Sequence, residues 1–180
     1  MTKEGYQVVR YADDCVVMCW TQEEAERAMR RMQALIEERG LRLHAEKTKL
    51  VDATAPGGFD FLGYHFELGR RTPRKKSLRK LKDSVREHTR RGNGYSLTKI
   101  IENLNRVLRG WFAYFQHSTP RIFEWLDGWI RGRLRSILRR RLKLRGRARG
   151  RDHHRWPNAY FRQMGLFFMA EAHQLLIRSR

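Results

Sequence analysis

The sequence predicts an α+β chain in which a β-hairpin, helix, β-hairpin segment leads into a mainly α-helical region. Three observations predict it. Apolar residues alternate in short runs over the first seventy positions, they recur every three to four positions from residue 75 onward, and basic charge is confined to the second part. Of 39 Lys+Arg and 19 Asp+Glu, which give a formal charge of +20, residues 1–69 hold only nine basic against twelve acidic side chains. Residues 70–180 hold thirty against seven.

Gln7 to Arg10 and Cys15 to Trp20 are β-rich runs flanking Tyr11-Ala12-Asp13-Asp14, a pattern for a hairpin with its acidic pair at or beside the turn. Cys15 and Cys19 are spaced as same-face strand residues rather than as a disulfide framework or a zinc pair, so buried thiols in a reducing compartment are expected. Thr21-Gln22-Glu23-Glu24 is a capping box. The helix it opens has the apolar stripe Ala25, Met29, Met32, Leu35 and Ile36, and Gly40 supplies the left-handed residue that ends it. Leu41 to Leu43 and Lys49 to Val51 read as short strands. Ala55-Pro56-Gly57-Gly58 is a turn leading into Phe59 to Phe66, which alternates like a strand with one wet side.

Leu78, Leu81 and Val85 mark a first helix of the second part. Ser96 caps the next, whose stripe runs from Leu97 to Phe115. Thr119 and Pro120 open a third, as cap and first helical residue, with a stripe from Ile122 to Leu142 and a stop at Gly146. Gly92-Asn93-Gly94 and the Arg/Gly-rich stretch Arg145 to Arg151 read as loops, and 158–162 and 170–177 as further helices.

The basic excess concentrates in two runs, Arg70 to Arg91 with eleven cations and Arg131 to Arg155 with twelve cations and one acid, Asp152. Such a field attracts polyanions, because each neutralised phosphate releases condensed counterions. Mixed-sign surfaces would suffice for solubility, so nucleic acid is the favoured partner and a membrane surface the weaker one. The longest apolar runs, Cys15 to Trp20 and Met164 to Ala170, are too short to cross a bilayer, and the opening residues lack a signal-peptide pattern, so a soluble protein is expected.

Adjacent carboxylates at the tip of an apolar hairpin repel unless a cation intervenes, and Mg2+ suits all-oxygen ligands. On the dipeptide alone, a solvated Asp-Asp turn is the better reading of Asp13 and Asp14. Trp111, Trp125, Trp129 and Trp156 could stack on bases, although the first and third lie on apolar stripes, where core packing is the default. His153-His154, without a Cys pair or spaced acids, reads as a basic loop rather than a metal site.

Context reverses the weighting of the acidic pair. Tyr11-Ala12-Asp13-Asp14 between apolar strands resembles the active-site hairpin of reverse transcriptases, Gly40 to Thr48 is similar to the family's "GL.L...KT" block, and Phe59 to Tyr64 to its "FLG" block. The Ala in the acidic motif and the downstream Arg109-Gly110-Trp111-Phe112-Ala113-Tyr114-Phe115 resemble bacterial group II intron reverse transcriptases/maturases. Cys15 departs from the aromatic more usual there.

This resemblance implies a division into residues 1–69, the C-terminal part of a polymerase palm, 70–150, a basic helical thumb and maturase-specific region, and 151–180, a helical extension. It implies that Asp13 and Asp14 hold catalytic Mg2+, Tyr11 packs under the nascent pair, Lys47 holds phosphates, and Phe61, Leu62 and Gly63 form a turn gripping the primer end. Arg74, Lys75, Lys76, Arg79, Lys80, Arg139, Arg140, Arg141 and Lys143 would meet structured RNA or a template duplex, with deoxynucleotides as substrates and a bacterial cytoplasmic setting. Family members hold another catalytic Asp far upstream of the hairpin, whereas ten residues precede Tyr11. The expectation is therefore a C-terminal portion, from a truncated or split reading frame, that binds RNA without polymerising. A stand-alone RNA-binding module with a vestigial palm, and a DNA-binding protein, are the alternatives.

Overall fold

The computed structural model describes residues 5–44, 46–144 and 150–179, so the Arg/Gly-rich stretch 145–149, with Gly146, and Ala45 of the "GL.L...KT" block lie outside the described residues. The chain divides into two compact units, residues 1–62 with 66–69, and residues 63–65 with 70–180.

In the first unit, β1 (Gln7–Tyr11) and β2 (Asp14–Met18) pair antiparallel with Val9 opposite Val16 and Tyr11 opposite Asp14. The register leaves Ala12 and Asp13 as a two-residue turn, with Ala12 in the left-handed region at φ 53°. Strand β2 stops at Met18, so Cys19 is not a strand residue, and Cys15 is exposed rather than buried. A hairpin bearing one helix has too little cover to bury both faces.

Helix α1 (Gln22–Glu37) starts where the capping box places it: Thr21 Oγ1 accepts from Glu24 N at 3.2 Å. The Glu24 carboxylate accepts instead from Trp20 N, one residue before the cap, at 2.8 Å. Its stripe is half-buried, Ala28 alone being fully buried, and Gly40 has φ 70°. Leu41 to Leu43 and Lys49 to Val51 are not strands; they run as irregular chain around a turn in which Lys47 N and Thr48 N donate to His44 O.

The block expected as one strand is two, β3 (Phe59–Phe61) and β4 (Tyr64–Glu67), followed by β5 (Arg70–Pro73), and the three are neighbours in that order in one sheet. Leu62-Gly63 and Leu68-Gly69 are the connections. All four residues have positive φ, between 46° and 79°, the conformation of the tightest hairpin turns.

The second unit is helical: α2 (Lys75–His88), α3 (Leu97–Phe115), α4 (Arg121–Arg141), α5 (Gly150–Arg155), α6 (Asn158–Gln163) and α7 (Met169–Arg178). Leu81, Val85, Ile100, Leu104, Leu108, Phe123, Leu126, Ile130, Leu134 and Ile137 meet Phe161 and Met169 in one core. Ser96 caps α3 through Lys99 N at 3.2 Å. Thr119 is not the cap of α4; that position is Pro120, and the Thr119 hydroxyl donates to Arg71 O at 3.1 Å. The expected loop around His153-His154 is the short helix α5.

Candidate metal-binding hairpin and nucleic-acid interface

The hairpin register fixes what its tip can do. Tyr11 and Asp14 form the last strand pair, and Asp13 occupies the turn, so the two carboxylates are exposed neighbours on the same tip. Arg10 Nε donates to Ala12 O at 2.8 Å and steadies this strained turn, a role the adjacency of Arg10 to the acidic motif could have signalled. Two exposed carboxylates are a hard-oxygen donor set that suits one Mg2+, with water or phosphate filling the remaining positions. A pair of ions sharing ligands needs more, and among the described residues no group of three or more His, Cys, Asp or Glu is placed to hold a metal.

Of the other residues expected at the polymerase site, Lys47 is exposed in the turn after α1, Phe61 ends β3, and Leu62 and Gly63 make the β3–β4 turn. Gly63 is tied into the second unit: its carbonyl accepts from Arg74 N at 2.9 Å and from Ser77 Oγ at 3.1 Å. A Cβ on Gly63 would meet Ser77 and the rings of Tyr114 and Phe115 at 3.5–3.7 Å. Tyr64 follows, donating its hydroxyl to Tyr114 O at 2.5 Å, and partial burial raises its pKa.

The basic residues divide into two populations. Lys75, Lys76, Arg79 and Lys80 are exposed on α2, and Arg140 and Lys143 are exposed at the end of α4, whereas Arg74 is half-buried at the α2 cap. Arg141, also exposed, donates to Tyr95 O. Arg139, expected at the RNA interface, grips both oxygens of Asp152 at 2.8 and 3.0 Å, with the carboxylate side chain 5% exposed. An arginine so engaged holds α5 against α4. Arg135, 2% exposed, donates to Trp156 O and Asn158 Oδ1, each at 3.0 Å, and Arg133 donates to Thr89 Oγ1 at 2.5 Å at the end of α2. Burial lowers the pKa of both.

One acid of the helical unit was invisible in the sequence. Asp127 of α4 accepts from Met169 N and Ala170 N at 3.2 and 3.0 Å and so caps α7 from 42 residues away. Burial pushes its carboxyl up to about 6 against the opposing pull of those N–H groups and Arg131.

The chain thus carries a carboxylate-tipped hairpin and a basic helical unit. A family model for reverse transcriptase (RNA-dependent DNA polymerase) matches residues 1–66, and one for the group II intron, maturase-specific domain matches residues 78–156. Together the two matches support a relationship of the chain to group II intron reverse transcriptases/maturases. No curated protein matches it. Maturases and reverse transcriptases bind intron RNA and templates in general, and reverse transcriptases use a divalent metal. No helix among the described residues is long and apolar enough to cross a membrane.

Proposed function

We propose that this chain binds structured intron RNA through the exposed cations of its helical unit, in the service of splicing and mobility, and does not polymerise by itself. The carrying observation is the exposed set Arg79, Lys80, Arg140 and Lys143 within the segment that matches the maturase-specific domain, with the exposed Lys75 and Lys76 just ahead of it on the same helix. These side chains neutralise phosphates without reading sequence. Residues 1–69 act as the end of a palm, 70–150 as thumb and maturase region, and 151–180 as a helical extension.

Asp13 and Asp14 would hold Mg2+, which when bound supplies charge neutralisation at phosphoryl oxygens. Tyr11, 67% exposed beside them, offers a ring face to a nucleotide pair, and Lys47 a phosphate contact. Phe61, Leu62 and Gly63 position the primer end. RNA-directed DNA synthesis from deoxynucleotides needs more metal ligands than this hairpin carries among the described residues.

The test is RNA affinity of the purified chain against salt, together with primer extension on an RNA template in Mg2+. Affinity should fall steeply with salt, and no extension should appear. Salt-insensitive affinity overturns the first clause, and extension that disappears in Asp13→Ala overturns the second.

A further inference from the structure

Four tryptophans of the helical unit divide by environment. Trp111 packs on Phe115 and Phe123, with ring centroids at 4.8 and 6.3 Å. Trp129 lies against the core under the guanidinium groups of Arg86 and Arg133, and Trp156 is 8% exposed. Trp125, one turn before Trp129 on α4, is different. It is 48% exposed, no other aromatic ring packs on it among the described residues, and the Lys82 ammonium sits 4.4 Å from its ring centroid.

An indole left half in water forfeits burial free energy that a packing role would have gained. Its surroundings suit a polyanion. The half-buried Lys82 lies over the ring face and places a positive charge there, and Lys75, Lys76, Arg79 and Lys80 are exposed cations on the same helix. On α4, the next positions toward the solvent face are Gly128 and Gly132. A Cβ at Gly128 would meet nothing closer than Arg131 Nη2 at 3.9 Å, and one at Gly132 nothing within 4 Å. Bare backbone beside the ring lets a nucleic-acid strand approach. An apolar protein partner would instead strip water from Lys82 without compensation.

We propose that Trp125 stacks on one unpaired base of the bound RNA, with Lys82 beside the flanking phosphate. This rests on the RNA-binding reading and names what the helical unit recognises beyond duplex charge: a bulged or looped-out nucleotide.

The test compares two fluorescently labelled RNA stems, one with a single bulged purine and one fully paired, by anisotropy with the full chain. Trp125→Ala should weaken binding of the bulged stem about ten-fold and of the paired stem no more than about two-fold, because stacking on an aromatic platform acts only on a splayed base. Trp125→Phe should keep most of the preference, Lys82→Ala should lose part of it, and thermal melting should report the fold intact. If Trp125→Ala weakens both stems equally or neither, the stacking seat is wrong. If the unaltered chain binds neither stem, the RNA-binding reading falls, and this one with it.

Discussion

The two units of this chain handle apolar side chains in opposite ways. Among the described residues of the first unit only Ala28 is buried, while Val9, Tyr11, Met18 and Trp20 stand in solvent, Trp20 at 94%. The second unit closes Leu, Ile and Phe from α2, α3 and α4 over Phe161 and Met169, although Tyr95, Tyr114, Trp125 and Leu175 still stand in solvent. Both units have a clean apolar period. Periodicity creates an element, and only a partner face turns it into a core. The proposed function is distributed accordingly: the helical unit with a core would carry the grip on RNA, and the hairpin unit carries two carboxylates on a thinly supported scaffold.

The largest effect that sharpens this contrast comes from the internal ion pair of the helical unit. Arg139→Ala removes the two-pronged grip on the buried Asp152 and should cost about 3 kcal/mol in chemical denaturation, whereas exposed Arg140→Ala should change stability by less than about 0.5 kcal/mol and lower RNA affinity instead. Equal stability losses would erase the division between structural and binding arginines. Next is the pH response of the α7 cap. Because the folded carboxyl of Asp127 titrates near 6, above its unfolded value of 3.8, its contribution is fully present below 3.8 and is lost as pH rises through 6. The loss is on the order of 2–3 kcal/mol. Glu171 and Arg131 face the same carboxyl with opposite effects. Tm of the unaltered chain minus that of Asp127→Asn should therefore be larger at about pH 4.5 than at about pH 7.5. The smallest effect belongs to the first unit: Thr21→Ala removes the α1 cap, at about 1 kcal/mol, and should speed amide exchange in α1 while leaving α3 and α4 protected.

Much of the fold was legible because its signals are local. The Thr21 and Ser96 caps, the Gly40 stop and the apolar stripes of α1, α3 and α4 each depend on residues within a few positions. The misreadings have a common cause. Leu62 and Leu68 adopt positive φ, which leucine does not announce, so alternation alone runs β3 and β4 together and omits β5, although the family resemblance implies a turn at Phe61 to Gly63. Leu41 to Leu43 has strand composition but no neighbour to pair with. The exposed acidic pair was legible at the site, since a motif of adjacent residues survives any fold. Arg135, Arg139 and Asp127 were not, because each meets a partner between 13 and 43 residues away and charge alone does not tell an inward guanidinium from an outward one.

The inward arginines also separate arrival from retention. Arg135 keeps its charge in a protein interior, so it adds to the long-range potential that speeds encounter with a polyanion. Its donors are already committed to Trp156 O and Asn158 Oδ1, and it offers little to hold a phosphate once contact is made. In the proposed RNA binding, the on-rate would thus be set by nearly all of the cations, and the off-rate by the smaller exposed set.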